Sequence, residues 1–374
     1  MHSIFWLGTP NIAESRSVAD VTELDGILET MIDWDSRGVP FALATVVGVR
    51  GSTYRGLAAR QAVSEHSASV GTISGGCLDN DLHQVAATVI STGEPMLVEF
   101  DLTADDEAIW GWGIGCNGAT EVLVEPSSSA LELAERLRAS HLGRRSAIIH
   151  SLDPDSLGTR RFITPTGDTP VVGRLTEAAQ EAMREGRHRV VDVEGERSLI
   201  EVVGSPSRLL VCGAGHDADP VVRYGRELGF ETIVTDDRRH LLTAERFPHG
   251  SELVHAEARE LSSVIPLDER TYVVLMSHNY LRDLEYLRQL HGSRVPYIGA
   301  LGPSERLDRL YSDLATEGVL FDDDMKQRIH GPAGLDIGAE GPVEIAWSII
   351  SEILAVRTGA TGEPVSVVKR RDRD

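Results

Sequence analysis

Basic residues are scarce: 36 Lys and Arg stand against 58 Asp and Glu in 374 residues, a formal charge of −22. Affinity for a phosphate backbone comes from Lys and Arg, so a nucleic-acid binder is excluded as a first reading. Cysteine is scarcer still. Cys77, Cys116 and Cys212 are too few for a disulfide scaffold, and their odd number and wide spacing make no CxxC metal ribbon, so if they matter they matter as thiols. No run of about 18 apolar residues occurs, and Met1 to Pro10 carries neither the basic stretch nor the long apolar stretch of a secretory leader. The expectation is a cytoplasmic protein with no membrane span. His240, His249, His255 and His330 show no HExxH or similar spacing, so they define no metal site. Internal repeats are missing too. What remains, 41% apolar and 25% charged residues, is the composition of an ordinary globular protein. At roughly 100 to 200 residues per domain, the length suggests two or three domains.

Apolar residues at helical spacing over 18–34 precede a β-branched run, Phe41 to Val49, which reads as a buried strand. Short strands are expected at 60–64 and 69–73, ending in Ser74-Gly75-Gly76-Cys77, an exposed backbone turn ahead of a helix from Leu78 to about Ile90. Strands at 96–100 and 121–124 then flank a second glycine-rich stretch, Gly111 to Gly118, which contains Gly115 and Cys116. A helix over 127–138 follows. Residues 145–203 alternate short strands with one helix in a pattern that assigns no topology. The breaker cluster Gly204-Ser205-Pro206-Ser207 marks a domain boundary. Beyond it, strands at 208–212, 231–235, 272–276 and 295–298 are separated by stretches long enough for βαβ crossovers, which predicts a parallel sheet. A last helix, 342–357, has Pro342 in its first turn and Gly359 just past its end. It is apolar on most of its surface and is expected to be buried. The fold class is therefore α/β: an N-terminal mixed domain over 1–205, with 127–205 its least readable part, a Rossmann-like domain over 206–357, and a mobile tail over 358–374.

The strongest local motif is Leu209-Leu210-Val211-Cys212-Gly213-Ala214-Gly215-His216-Asp217-Ala218, in which Gly213, Gly215 and Ala218 fit G-x-G-x-x-G/A between a strand and a helix. Gly213 permits the tight turn, Gly215 the approach of backbone N–H groups to a phosphate, and Ala218 close packing of the helix. Asp236, at the end of the next strand, is placed to bind ribose hydroxyls. The alternative is a bare structural turn. His216 at the helix start is either a neutral ring for a ligand or a solvated one. His278, after the strand at 272–276, lies where parallel sheets dock ligands, or else belongs to a helix cap. Cys212, inside a strand, reads as core. Cys77 and Cys116 are flanked by glycine, the environment of a reactive or metal-coordinating thiolate, although both could be loop packing. Arg55 and Arg60 could contact an anion or merely sit at the surface.

Several segments in order resemble the XdhC/CoxI family of molybdenum-cofactor accessory proteins. They are GSTYR at 51–55, ISGGCLDNDL at 73–82, WGWGIGCNGATEVLVEP at 110–126, LLVCGAGHDADP at 209–220, SHNYLRDLEYL at 277–287, YIGALGPSERLDRL at 297–310 and GPAGLDIGAEGPVEIAWSIISEIL at 331–354. The resemblance implies a cytoplasmic chaperone, homodimeric and not itself a catalyst. It would bind the molybdenum cofactor (molybdopterin) and deliver it, after sulfuration by a cysteine desulfurase, to an apo molybdenum hydroxylase of the xanthine dehydrogenase or carbon monoxide dehydrogenase type. Carried over, Cys77 and Cys116 become candidate cofactor or molybdenum contacts, and Gly213 to Ala218 a pterin-phosphate or nucleotide cradle. Three positions depart from the family's pattern: Ala58 where Gly is usual, Gln61 where Met is usual, and Asp79 where Glu is usual. The rival reading is an NAD-dependent oxidoreductase built on the Gly213–Ala218 loop and Asp236, with His216 or His278 moving a proton.

Overall fold

The computed structural model describes residues 23–51, 53–101, 118–140, 145–164, 173–248 and 251–364. Residues Val21–Ser205 make one compact unit, and the chain from Pro206 belongs to a second.

The first unit opens with α1 (Glu23–Ser36) and the strand β1 (Phe41–Gly51), followed by β2 (Arg60–Ser64), β3 (Ser69–Gly71), α2 (Asp79–Thr92), β4 (Met96–Asp101), β5 (Gly118–Pro126) and α3 (Ser127–Ser140). Five strands form an antiparallel sheet in the order β3-β2-β1-β5-β4. The apolar run in β1 is continuous because both faces of this sheet are covered. Phe41 and Leu43 pack with Leu28 and Met31 of α1 and Leu133 and Leu137 of α3. Ala42, Ala44 and Val46 point the other way, against Leu82, Ala86 and Val89 of α2. That is the period-two alternation of a strand spending every side chain on a core. The helix α2 stops at Gly93, whose φ of 73° lets its N–H cap the Val89 carbonyl.

The segment whose topology the pattern left open is a second, four-stranded antiparallel sheet in the order β7-β6-β9-β8, built from β6 (Ser146–Ser151), β7 (Arg160–Ile163), β8 (Arg189–Val193) and β9 (Glu196–Val203), with α4 (Arg174–Glu185) between β7 and β8. Ala147, Ile149 and Ile200 face Ala179 and Ala182 of α4. Ile148 instead joins the core around α1 and α3, so the two sheets of this unit share buried surface.

The second unit contains β10 (Arg208–Cys212), α5 (Ala218–Glu227), β11 (Glu231–Asp236), β12 (Glu252–His255), α6 (Leu261–Val264), β13 (Thr271–Leu275), α7 (Tyr280–Leu290), β14 (Tyr297–Ala300), α8 (Ser304–Thr316), α9 (Asp323–Gln327), β15 (Ile329–His330) and α10 (Gly341–Thr358). All six strands are parallel, in the order β12-β11-β10-β13-β14-β15. Numbered within the unit this is 3-2-1-4-5-6, the doubly wound dinucleotide-type arrangement, with its switch point between β10 and β13. Leu210, Val273 and Leu275 face α7 and α8, whereas Leu209, Val211 and Val274 face Val221 and Val222 of α5 and Ile349, Ile350 and Ile353 of α10. The expected burial of α10 holds for one side, which packs on α5 and the sheet, while Val343 and Trp347 stand out, Trp347 at 51% exposure with its ring against Tyr224. Among the described residues no helix is long and apolar enough to cross a membrane. Of the expected tail, residues 365–374 lie outside the described chain.

Candidate functional site

The glycine motif lies at the switch point. Gly213 has φ 122°, and a Cβ there would stand 2.5 Å from the Met276 carbonyl oxygen at the end of β13, so only glycine fits the crossing of these two chain segments. Ala214 and Ala218 are fully buried, and His216 is exposed at the lip. Asp217 stands at the N-cap position of α5 without capping it. Its Oδ2 lies 2.7 Å from Nε2 of His278, a residue held at φ 54°. A non-glycine residue in that region carries backbone strain, which here delivers the imidazole to the carboxylate. His278 and the glycine loop therefore meet, and the helix end that would attract an anion already has one in Asp217.

Asp236 is 2% exposed. Its carboxylate accepts from the Ala214 N–H at 2.8 Å and from the N–H, Nε and Nη2 of Arg238 at 2.8 to 2.9 Å. Burial alone would raise its pKa, but these donors outweigh burial and hold the carboxyl below its usual range. The residue expected to face ribose hydroxyls is thus bonded to its own loop. Asn279 caps α7 by accepting from the Arg282 N–H, and Arg282 pairs with Asp237 at 2.8 Å. Buried Ser277 donates to Asp283 at 2.5 Å, and Asp283 pairs with Arg306 at 2.7 Å. Cys212 is fully buried behind this wall, and burial, reinforced by Asp283, pushes its thiol pKa well up, which makes it core.

In the first unit the GSTYR loop and the glycine-cysteine turn are neighbours. Glu23 ties them together: its carboxylate takes Arg55 in bidentate fashion at 3.0 and 2.6 Å and accepts from the Thr72 N–H at 3.3 Å. The Tyr54 ring lies 3.8 Å from where a Cβ of Gly75 would be. Buried Ser74 accepts through Oγ from the Gly76 and Leu78 N–H groups at 3.1 and 3.4 Å, which folds the turn back on itself. Gly75, Gly76 and Cys77 project from it, all exposed, with α2 beginning two residues later. Gly115 and Cys116 lie outside the described residues. The buried Gln61 accepts from the Ile73 N–H, a backbone bond that a thioether would replace poorly. Ala58 sits at φ 64°, the left-handed region in which glycine is the comfortable residue.

Beside these loops opens a cavity of about 400 Å³. Leu24, Ile27, Leu57, Leu137 and Val203 supply apolar wall, and Arg60, His188 and Glu201 supply polar groups. Behind it runs a buried ladder of charge. Glu201 Oε2 accepts from Arg60 at 2.5 Å and is 2.9 Å from His150 Nε2; Arg160 reaches His150 Nδ1 at 3.4 Å and grips Glu125 with 2.5 Å contacts. Burial pushes the Glu201 pKa up, yet Arg60 and His150 over-compensate and keep it well below the normal carboxylate range. Sequence reasoning missed this ladder, Arg60 apart. The available signal was an acid inside an apolar strand, Leu199-Ile200-Glu201-Val202-Val203, and a histidine in Ala147-Ile148-Ile149-His150, where a polar group needs a buried partner. No cluster of three or more metal-ligating side chains occurs among the described residues.

Comparison with known proteins agrees with this architecture. A family model described as the XdhC Rossmann domain matches residues 209–353, and one described as the XdhC and CoxI family matches residues 34–101. A Bacillus subtilis (strain 168) protein named as a probable xanthine dehydrogenase subunit is 28% identical over 345 residues, covering 90% of this chain and 97% of that one. The uncharacterized protein YqeB of Escherichia coli K12 is 34% identical over 174 residues, which is 46% of this chain and 31% of that one. A crystal structure described as a xanthine dehydrogenase from Bacillus halodurans superposes with a TM-score of 0.72 at 28% identity, over 92% of this chain and 98% of that one. Two family models falling on the two units, together with relatives matched almost end to end, place the chain in the XdhC and CoxI family.

Proposed function

We propose that the chain is a cytoplasmic, homodimeric accessory protein for a molybdenum hydroxylase of the xanthine dehydrogenase type. In this reading it binds the molybdenum cofactor as cargo, shields it during sulfuration by a cysteine desulfurase, and passes it to the apoenzyme. Membership of the family and the xanthine dehydrogenase names carried by relatives support the association with such an enzyme. The observation that carries the cargo role is the exposed Cys77, presented on the Ser74-braced glycine turn beside Tyr54. An accessible thiol on a glycine turn suits reversible contact with a soft metal centre, whereas a packing cysteine would be buried. The cofactor supplies the redox centre of the client; this chain's residues hold it and keep water and oxidants away.

Anaerobic purification from a host that makes the cofactor tests this. Bound molybdenum and pterin fluorescence are expected in the wild type and are expected to fall at least tenfold in the Cys77→Ala, Cys116→Ala double variant. Equal retention in both proteins would refute the thiol role. Recovery of neither a hydroxylase nor a desulfurase in a pull-down from the native host would refute the delivery role.

The NAD-dependent alternative draws on the 3-2-1-4-5-6 sheet and the Gly213 turn. Two features weigh against it: Asp236 is already bonded to Ala214 and Arg238, and Asp217 sets a negative charge at the helix end that a pyrophosphate would need. A calorimetric titration is expected to find no NAD binding at millimolar concentration.

A further inference from the structure

One face of α10 is apolar and open. Val343 is 49% and Trp347 51% exposed, one helical turn apart, and Ile337 of the preceding loop is 57% exposed. The rim of this stripe is acidic: Asp336, Glu340 and Glu344 are exposed around the start of the helix. Arg223, the cation beside Tyr224, spends Nη2 on the Tyr224 hydroxyl at 2.8 Å and lies over that ring. An open apolar stripe rimmed by charge has the composition of a docking surface. The chain itself turns back toward it. The helix stops at Gly359, with φ 70°, and the Ala360 N–H returns to the Ala355 carbonyl at 2.9 Å. A Cβ on Gly362 would stand 2.9 Å from Cδ2 of Leu335. Leu335 is in turn fastened to the middle of the helix: its carbonyl accepts from the Ser348 hydroxyl at 2.6 Å, and its N–H donates to the Ser348 carbonyl at 3.3 Å. At Gly362 the chain therefore rests on the loop that runs beside α10.

The residues that follow are Val365-Ser366-Val367-Val368-Lys369-Arg370-Arg371-Asp372-Arg373-Asp374. Three valines precede four basic residues set against two acids, a local charge of 4 − 2 = +2 in a chain whose total is −22. Composition and charge are the complement of the open face. From this we infer that residues 365–374 dock on α10 of their own chain. The valines cover Val343 and Trp347, and Lys369 to Arg373 meet Asp336, Glu340 and Glu344. The reach suffices: Gly362 to Lys369 spans up to about 23 Å when extended, whereas Ser348 to Glu340 is about 12 Å of helix. An exposed indole also takes an arginine on its ring face. Covalent attachment supplies the segment at an effective concentration on the order of millimolar, so contacts too weak to hold a separate peptide hold this one. The docking is independent of the cofactor-carrier reading and concerns the second unit alone.

Trypsin, which cuts after Lys369, Arg370 and Arg371, reads the docking in the full chain. Cleavage at these sites is followed by mass spectrometry at low salt and compared with cleavage of a free peptide of residues 362–374. Wild-type cleavage roughly fivefold or more slower than in the peptide, with the protection lost in Trp347→Ala and in Val367→Asp and weakened severalfold at about 0.5 M salt, supports the inference. Each variant and each salt condition is compared with its own peptide. Val367→Asp changes the segment and leaves α10 untouched, which separates loss of docking from loss of folding; the melting temperature makes the same check for Trp347→Ala. Cleavage of the wild type at the rate of the free peptide overturns the inference, as does protection that survives in both variants. Protection that fades on dilution assigns the segment to the face of a second copy and overturns docking within one chain. A segment cut as fast as the free peptide, on a protein whose Trp347 face binds an added basic, valine-rich peptide of unrelated sequence, overturns it in favour of a partner protein.

Discussion

At the scale of single residues, backbone conformation decides more than side-chain identity. Ala58, at φ 64°, occupies a region that costs an L-residue about 1 kcal/mol, so Ala58→Gly is expected to raise stability by up to about 1 kcal/mol despite glycine's entropy. Thermal unfolding of the variant measures this, and a drop in stability would mean that the Cβ makes a contact worth more than the strain. The residues whose surroundings were legible in the sequence are those set in a local pattern. Gly213 and Gly215 belong to a spaced motif, and Cys77 sits in a glycine turn. The residues that sequence reasoning missed act through partners far along the chain: Glu201 meets His150 across 51 positions and Arg60 across 141. Asp236 was legible as an acid at a strand end, but nothing in the spacing says that Arg238, two residues on, takes the carboxylate in place of a ribose.

At the scale of elements, the parallel sheet was readable because its central strands are short, mostly apolar runs separated by crossover-length gaps, the signature of strands buried on both faces. Two strands escaped. β12, Glu252–His255, has only two apolar residues, and β15, Ile329–His330, is too short to show any period. The second sheet of the first unit stayed unassigned because its strands are joined by unequal connections and carry a buried acid and histidine in place of a clean alternation. For α10, overall apolarity misled, since a helix with exposed Val343 and Trp347 has the composition of a buried one. One tight joint between elements is the crossing of the glycine loop over the end of β13. Gly213→Ala would drive a Cβ to 2.5 Å from the Met276 carbonyl oxygen in a backbone conformation that L-residues avoid. A loss of about 2 to 3 kcal/mol is expected by denaturant unfolding, whereas Gly56→Ala, with open space around it, serves as the neutral control.

At the scale of the whole molecule, a charge of −22 favours solubility but makes the response to acid depend on a few engaged carboxylates. Glu201, Asp236 and Glu352 all have folded pKa values below their ordinary ones. Burial opposes this in each case and is outweighed by donors, for Glu352 by His330, Tyr297 and the Gly334 N–H. Because the folded values are depressed, the unfolded chain takes up protons first as pH falls. The stabilisation is whole above the ordinary values of 4.5 for Glu and 3.8 for Asp and drains away below them. Melting temperatures are therefore expected to be flat near neutrality and to fall steeply under pH 4.5, with a shallower acid slope in Glu352→Gln. An unchanged slope in that variant would remove Glu352 from the account.

The ladder from Arg60 through Glu201 and His150 to Arg160 and Glu125 has a consequence for how such a chain can change over generations. Losing one rung strands a charge away from water at about 3 to 5 kcal/mol, while exchanging opposed rungs together for apolar residues of similar volume costs little or nothing. Descent should therefore alter these positions in concert, with relatives that lack the acid at 201 also lacking the arginine at 60, and single losses confined to chains that no longer fold well.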